Sequence, residues 1–373
     1  MQTNILVVGA TGIIGTAFLR HSLGKQREGP ADGGRKPDAA ISADPLLSAT
    51  DYPADPQWHY TGLTRNSQIT SSHRQLNYTN VDLLGDSSSL RSIKNVTHVV
   101  FAGYVPETDP VRQLELNTAL LRNCLDALEQ CSLEQVVLLQ GMKYYGSHKG
   151  RFRTPAKEDD TRLDEPHYYY AQQDLLEASG IPWTCLRPHV VCGTASIGTP
   201  QNILSVVGCY VSLCKSLNLP LQWPASEASF QALNQATDAT LLAQAIVWAL
   251  QSPTAHNQAF NVTNGDFFRW QHLWPRIAEQ FDMRMGECRP QQLQESMSGM
   301  GKRWGELVQA HNLQPFELAK ICDWSFADYI LKTEWDVMAS TTKIRQAGFN
   351  ACMDTEAMYL AHLKQMKKLH LLP

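Results

Sequence analysis

Two short stretches of this chain hold the residues best suited to chemistry. The first is Gly9-Ala10-Thr11-Gly12-Ile13-Ile14-Gly15, which follows an apolar run and opens a helical pattern. Glycines let a backbone turn tightly and approach a pyrophosphate. The free N–H groups and positive dipole end of the following helix attract an anion. The second stretch is split in sequence: Lys143 in Gly141-Met142-Lys143-Tyr144-Tyr145, and three tyrosines in His167-Tyr168-Tyr169-Tyr170. A tyrosine hydroxyl can hold an oxygen that is gaining negative charge, but a free phenol with a pKa near ~10 is a sluggish acid at neutral pH. A nearby cation makes it a better one. A lysine four residues on would share its helix face, yet Gln172, Gln173 and Asp174 stand there. Lys143 could bring the cation from another element.

Those residues need a scaffold that brings them together. Asn4–Gly9, 58–64, 76–82, 97–102 and 135–140 read as strands, with helices over 15–23 and 110–130 between them. Continuous apolar strands alternating with helices predict an α/β fold: a doubly wound, Rossmann-type parallel sheet covered on both faces. A strand at 183–187, helices at 202–217 and 238–250, and a strand at 259–263 continue the rhythm. From Trp270 the pattern is mostly helical. We therefore expect a dinucleotide-binding core over 1–200, its sheet completed by 235–265, and a mainly helical substrate-binding and capping region over 201–373. Residues 25–57, rich in Gly and Pro with few large apolar residues, read as a flexible surface insertion. In such a fold Lys143 lies at the carboxyl end of the strand 135–140, beside the crevice where ligands bind.

The second strand bears on the choice of cofactor. It ends Gly62-Leu63-Thr64-Arg65-Asn66-Ser67, with no carboxylate to bind a ribose 2′-hydroxyl and with Arg65 able to grip a 2′-phosphate. NADPH is the expected cofactor. Asp82 and Leu83, at the end of the third strand, are candidates for the adenine edge, and Asp82 can equally serve as a strand-end cap.

Bulk properties narrow the classes. The chain has 373 residues, 43% hydrophobic and 18% charged, with a net charge of -4. Nothing there asks for nucleic acid or an anionic membrane as partner, and no run approaches the ~20 apolar residues of a membrane span. The first residues form a strand rather than a secretory signal, so a cytoplasmic protein is expected. Nine cysteines without C-x-x-C pairs read as reduced thiols. No histidine spacing suggests a metal. The oligomeric state is open, a homodimer being one option.

The spacing G-x-x-G-x-x-G is similar to that of extended short-chain dehydrogenases. More specifically, Gly141-Met142-Lys143-Tyr144-Tyr145 resembles the G-x-K-H-Y motif of plant progesterone 5β-reductases and iridoid synthases, and 167–174 resembles their N-F-Y-Y-x-x-E-D. Leu186-Arg187-Pro188, 258–266 and Trp324-Ser325-Phe326-Ala327-Asp328 extend the likeness over nearly the whole chain, the insertion at 25–57 excepted. That family reduces the carbon–carbon double bond of enones and enals with NADPH. The resemblance implies that Tyr169 is the catalytic tyrosine and Lys143 its partner. It implies cofactor contacts at Gly9, Thr11, Gly12, Ile13, Ile14, Gly15, Thr64, Arg65, Asn66, Asp82, Leu83, Ala102, Pro188 and Val190, besides Lys143 and Tyr169. Tyr104, Tyr144, Tyr145, His189, Tyr210 and Phe230 are expected to line the pocket of a hydrophobic substrate. The chain departs from the motifs at His167 (for Asn), Tyr168 (for Phe), Gln173 (for Glu) and Tyr144 (for His), which bears on substrate identity. Three other readings stay open: reduction of the carbonyl itself, a non-redox cyclase or isomerase that keeps NADP(H), and a sensor without catalysis.

Overall fold

A computed structural model describes residues 2–24, 52–194 and 199–373. The fold is α/β. Seven parallel strands form the central sheet: β1 (Asn4–Val8), β2 (His59–Thr64), β3 (Leu76–Asn80), β4 (His98–Phe101), β5 (Gln135–Leu139), β6 (Trp183–Pro188) and β7 (Gln258–Val262). Their order across the sheet is β7-β6-β5-β4-β1-β2-β3. The continuous apolar runs follow from burial of both faces. Ile5 and Val7 enter one core cluster, while Leu6 and Val8 enter the other. Strand order reverses between β1 and β4, which opens a crevice at the carboxyl ends of the strands.

Helix α1 (Ile13–Leu23) shares the first of these clusters with α5 (Ala239–Gln251), and α2 (Pro110–Ala127) shares the second with α3 (Tyr168–Ser179). Local chemistry sets the helix ends. Asp109 accepts from the N–H groups of Val111 and Arg112 ahead of Pro110, and Asp238 accepts from those of Thr240 and Leu241. His167 caps α3, and Gly180 ends it in the left-handed conformation with φ 71°. Helix α1 differs: Gly12 is its N-cap, no side chain caps it, and its first turn holds no acidic residue.

The C-terminal part is mostly helical. It contains α4 (Ile203–Ser216), α6 (Trp270–Gln280), α7 (Gly301–Ala310), α8 (Trp324–Leu331) and α9 (Thr355–Lys368), with short strands and turns among them. Helix α4 is buried on all sides, which explains its uninterrupted apolar sequence. No helix among the described residues is long and apolar enough to cross a membrane.

Of the insertion expected at 25–57, residues 25–51 lie outside the described residues. Of its last residues, Pro53 and 55–57 are exposed, while Tyr52 is anchored. His21 Nε2 donates to the Tyr52 carbonyl at 2.9 Å. The Tyr52 hydroxyl donates to the Gly348 carbonyl at 3.1 Å and accepts from the Asn350 N–H at 2.8 Å. Its ring packs on Phe349, with centroids 4.8 Å apart.

Candidate active site

One cavity of about 800 Å³ opens at the carboxyl edge of the sheet. Gly9, Gly12, Ile13 and Ile14 form its wall at one end; Gly141, Met142, Lys143, Tyr168 and Tyr169 belong to the same wall. Gly9 takes φ 80°, and a Cβ there would sit 2.6 Å from the Ala102 carbonyl oxygen. A Cβ on Gly15 would meet the Gly9 carbonyl oxygen at 2.3 Å, so Gly15 lets α1 pack directly on the turn and lies behind the cavity. These two glycines bring the uncapped N–H groups of α1 to the cavity wall. An anion fits there: a helix of this length offers free donors and a positive end, with no carboxylate to compete. The cradle and the cavity volume together fit a dinucleotide.

The register of β1 and β2, Val7 opposite Gly62, sets Thr64 and Arg65 level with the glycine turn. Arg65 is exposed just past β2. The Thr64 side chain is committed locally, accepting from the Asn66 N–H at 3.0 Å. Asp82 accepts from the Leu84 N–H at 3.1 Å as a turn cap, while Leu83 is buried in the core under α2 and takes its place there by packing. Ala102, Pro188 and Val190 line the cavity. Val190 does so at φ 40°, a conformation that strains a β-branched residue. Nothing in the sequence signals that strain.

Helix α3 aims Tyr169 into the cavity. The His167 Nδ1 accepts from the Tyr169 N–H at 3.1 Å, and Gln140 donates to the Tyr169 carbonyl at 2.9 Å. The hydroxyl rests against Gly141, where a Cβ would come within 3.2 Å. Burial pushes the Tyr169 hydroxyl up to about 12, so it keeps its proton at neutral pH and acts as a donor. Burial holds the Lys143 ammonium below its usual range. That ammonium lies 5.3 Å from the centroid of the Tyr329 ring. It also helps to hold two neighbours neutral: His148 is pushed down to about 4 and His167 to about 3, burial being the larger cause in both. His189, in the cavity wall, is pushed down to about 4 by burial and is neutral at pH 7.

Behind Tyr169 lies a polar hub around Arg187, which is fully buried. Its guanidinium donates to Gln140 Oε1 at 2.9 Å, the Tyr145 hydroxyl at 2.8 Å and Gln173 Oε1 at 3.1 Å, and stacks 3.4 Å from the Tyr144 ring centroid. The Tyr145 hydroxyl in turn donates to Asn261 Oδ1 at 2.7 Å, and Tyr170 donates to the Tyr144 carbonyl at 2.6 Å. Tyr144 and Tyr145, expected in the pocket, are instead buried partners of this arginine. Tyr210 and Phe230 also leave the pocket. Tyr210 donates to the Gln222 carbonyl at 3.2 Å, and Phe230 packs on Trp223 with centroids 5.1 Å apart. Both fill the core of the C-terminal part, where large aromatics have most apolar area to bury.

Of the expected substrate residues, Tyr104 and His189 do line the cavity. That wall also includes Tyr168, Gln172, Pro200, Gln201, and Ser325, Phe326, Tyr329 and Ile330 of α8. The segment 324–328 stands out in sequence as a motif, but its place over the cavity depends on long-range packing. Among the described residues no group of His, Cys, Asp or Glu is arranged to hold a metal.

The sheet order and the glycine turn on α1 define a Rossmann-type, dinucleotide-binding class of fold. Within it, the chain belongs to the PRISE-like Rossmann-fold domain family, whose family model matches residues 5–368. It is 29% identical to an (S)-8-oxocitronellyl enol synthase from Camptotheca acuminata, over 100% of this chain and 94% of that protein. It is 28% identical to a 3-oxo-Delta(4,5)-steroid 5-beta-reductase from Arabidopsis thaliana, over 99% of this chain and 92% of that protein. Among solved structures, a UDP-glucuronic acid 4-epimerase from Bacillus cereus in complex with NAD shares the fold, with TM-score 0.62 and 13% identity over 99% of this chain and all of that one. The chain thus carries the Rossmann fold of that family.

Proposed function

We propose that this protein is an NADPH-dependent reductase of the carbon–carbon double bond in α,β-unsaturated carbonyl compounds of hydrophobic character. One observation carries the reading: a single cavity has both the anion cradle of α1 and the protonated Tyr169 hydroxyl in its wall. The names of the two relatives above, an enol synthase and a steroid reductase, support it. Bound there, reduced nicotinamide supplies a hydride for the β-carbon. The chain's own residues do the rest. Tyr169 donates a hydrogen bond to the carbonyl oxygen and holds it as an enolate forms, an oxyanion site worth about 10²–10³ in rate; a proton from solvent at the α-carbon then completes the saturated carbonyl. Lys143 adds positive charge to that end of the cavity. Met142, Phe326 and Ile330 exclude water, and Pro188 and Val190 shape the wall beside them. Arg65, exposed just past β2, would hold the 2′-phosphate.

The test is to follow NADPH oxidation with a panel running from cyclic enones to steroid and monoterpenoid substrates, and to identify products. Saturated carbonyl products, lost in Tyr169→Phe, support the reading. Alcohol products would transfer it to carbonyl reduction, and turnover at constant NADPH to isomerase or cyclase chemistry. Arg65→Ala should weaken NADPH about 10–100-fold while leaving NADH binding unchanged, the loss of a charge-assisted hydrogen-bond pair; equal weakening of both would remove Arg65 from the 2′-phosphate site.

A further inference from the structure

Lys143 sits in a single 3-10 turn, Met142–Tyr145, just past β5. Successive residues of such a turn point about 120° apart. Tyr144 and Tyr145 are buried against the Arg187 hub, and Lys143 is left to face the cavity. Among the described residues its ammonium has no hydrogen-bond acceptor and no carboxylate partner. The contact it makes is with the face of the Tyr329 ring, 5.3 Å from the centroid. A cation within about 6 Å of a ring centroid is attracted by the ring's quadrupole. Tyr329 arrives from α8. Phe326, Tyr329 and Ile330 stand at i, i+3 and i+4, one face of that helix, and all three line the cavity. The other titratable groups around Lys143 supply no opposite charge. His148 follows it in sequence and His167 caps α3, and both are neutral at pH 7. The phenols of Tyr104, Tyr168, Tyr169 and Tyr329 are raised by burial and keep their protons. Lys149, beyond His148, is paired with Glu165.

We propose that Tyr329 is a positioning residue: its ring face holds the Lys143 ammonium at the cavity wall by cation–π attraction and keeps it charged there. A lysine head on a flexible four-carbon stem swings to water unless something holds it. A carboxylate in the place of Tyr329 would hold it too, but would cancel the positive charge that Lys143 brings to the cavity. A neutral ring attracts the cation and leaves its net charge intact. The contact also joins two parts of the molecule: α8, from the C-terminal part, supplies the partner of a lysine that β5 sets in place. The role of Lys143 beside Tyr169 rests on the proposed function; the contact with Tyr329 does not.

Two measurements on the NADP(H)-loaded protein test it. The first needs no substrate. With lysine labelled at ¹³Cε, the Lys143 resonance is the one missing from Lys143→Met. Its ε-methylene protons should lie upfield of those of the other lysines, shielded by the ring face. In a pH titration, Tyr329→Leu should lower the Lys143 midpoint by up to about one pH unit, because the ring favours the charged form. Tyr329→Phe keeps the face and should keep the wild-type midpoint. An unmoved midpoint in Tyr329→Leu would overturn the proposal, and so would an equal drop in Tyr329→Phe, which would assign the contact to the hydroxyl. If the leucine variant fails to fold, ε-methylene protons at the ordinary lysine position in the wild type would overturn it. The second measurement is the pH profile of kcat/KM on whichever enone is turned over. Its alkaline limb should follow the Lys143 midpoint, down in Tyr329→Leu and in place in Tyr329→Phe. A limb that stays while the midpoint moves would overturn the positioning role. Absence of turnover, together with a midpoint lowered in Tyr329→Leu alone, would leave the contact standing and count against enone reduction.

Discussion

The two sides of helix α3 are built on opposite terms. On one side Gln173 and Tyr170 face the Arg187 hub, where the guanidinium finds four oxygen acceptors, the Glu158 carbonyl among them, and each tyrosine hydroxyl a partner. On the other, Tyr168 and Tyr169 line a cavity. A buried polar network costs stability unless its members are satisfied, and satisfied it fixes one geometry. Satisfaction behind the helix lets its front present a hydroxyl that no protein acceptor consumes. The lesson is a division of labour within one turn of helix: rigidity on the bonded side, chemistry on the bare side.

That contrast can be broken. Arg187→Met leaves the oxygens of Gln140, Tyr145 and Gln173 buried without a donor, at about 1–3 kcal/mol each before relaxation. We expect the urea midpoint to show a loss of about 3 kcal/mol or more, with activity falling as Tyr169 loses its support through Gln140. An unchanged midpoint would mean that the hub does not brace the helix. Tyr169→Phe should do the reverse: kcat/KM down about 10²–10³-fold, with melting temperature and NADPH affinity at their wild-type values. A large drop in melting temperature would show that the cavity side is structural as well.

Two smaller effects sharpen it. Tyr170→Phe removes one bond, to the Tyr144 carbonyl, and should cost about 1 kcal/mol in stability and less than a factor of two in kcat. His167→Asn keeps the cap on α3, since asparagine serves there equally well, but removes a titrating group. His167 is pushed from 6.5 down to about 3. Between those values the unfolded chain takes up a proton that the folded chain does not, so stability falls as pH drops from 6.5 toward 3. Thermal melts should coincide for the two proteins at pH 7, and the variant should lose less on acidification. Parallel acid curves would count against a neutral, buried His167.

How much of this was legible beforehand divides along the same line. The strand–turn–helix of residues 4–23 and the alternation that builds the sheet depend on near neighbours in sequence, and there the pattern and the structure agree. The helix start at His167 was equally local. What escaped depends on contacts between distant segments. Tyr145 lies 42 residues from Arg187 in sequence, and a lone arginine in the apolar run Trp183–Pro188 gives no hint that it is a buried hub. Tyr210 and Phe230 look like any pocket aromatics until α4 and the tryptophans close around them. Tyr329 and Phe326 reach the cavity only because α8 packs over it.

The Tyr52 clamp has a practical consequence. His21 in α1 bonds the Tyr52 carbonyl, so the chain leaves the sheet after α1 and rejoins it at nearly the same place. The clamp therefore ties the chain's approach to β2 to α1, so substitutions at His21 should be felt at the first residues of β2 as well as in the helix.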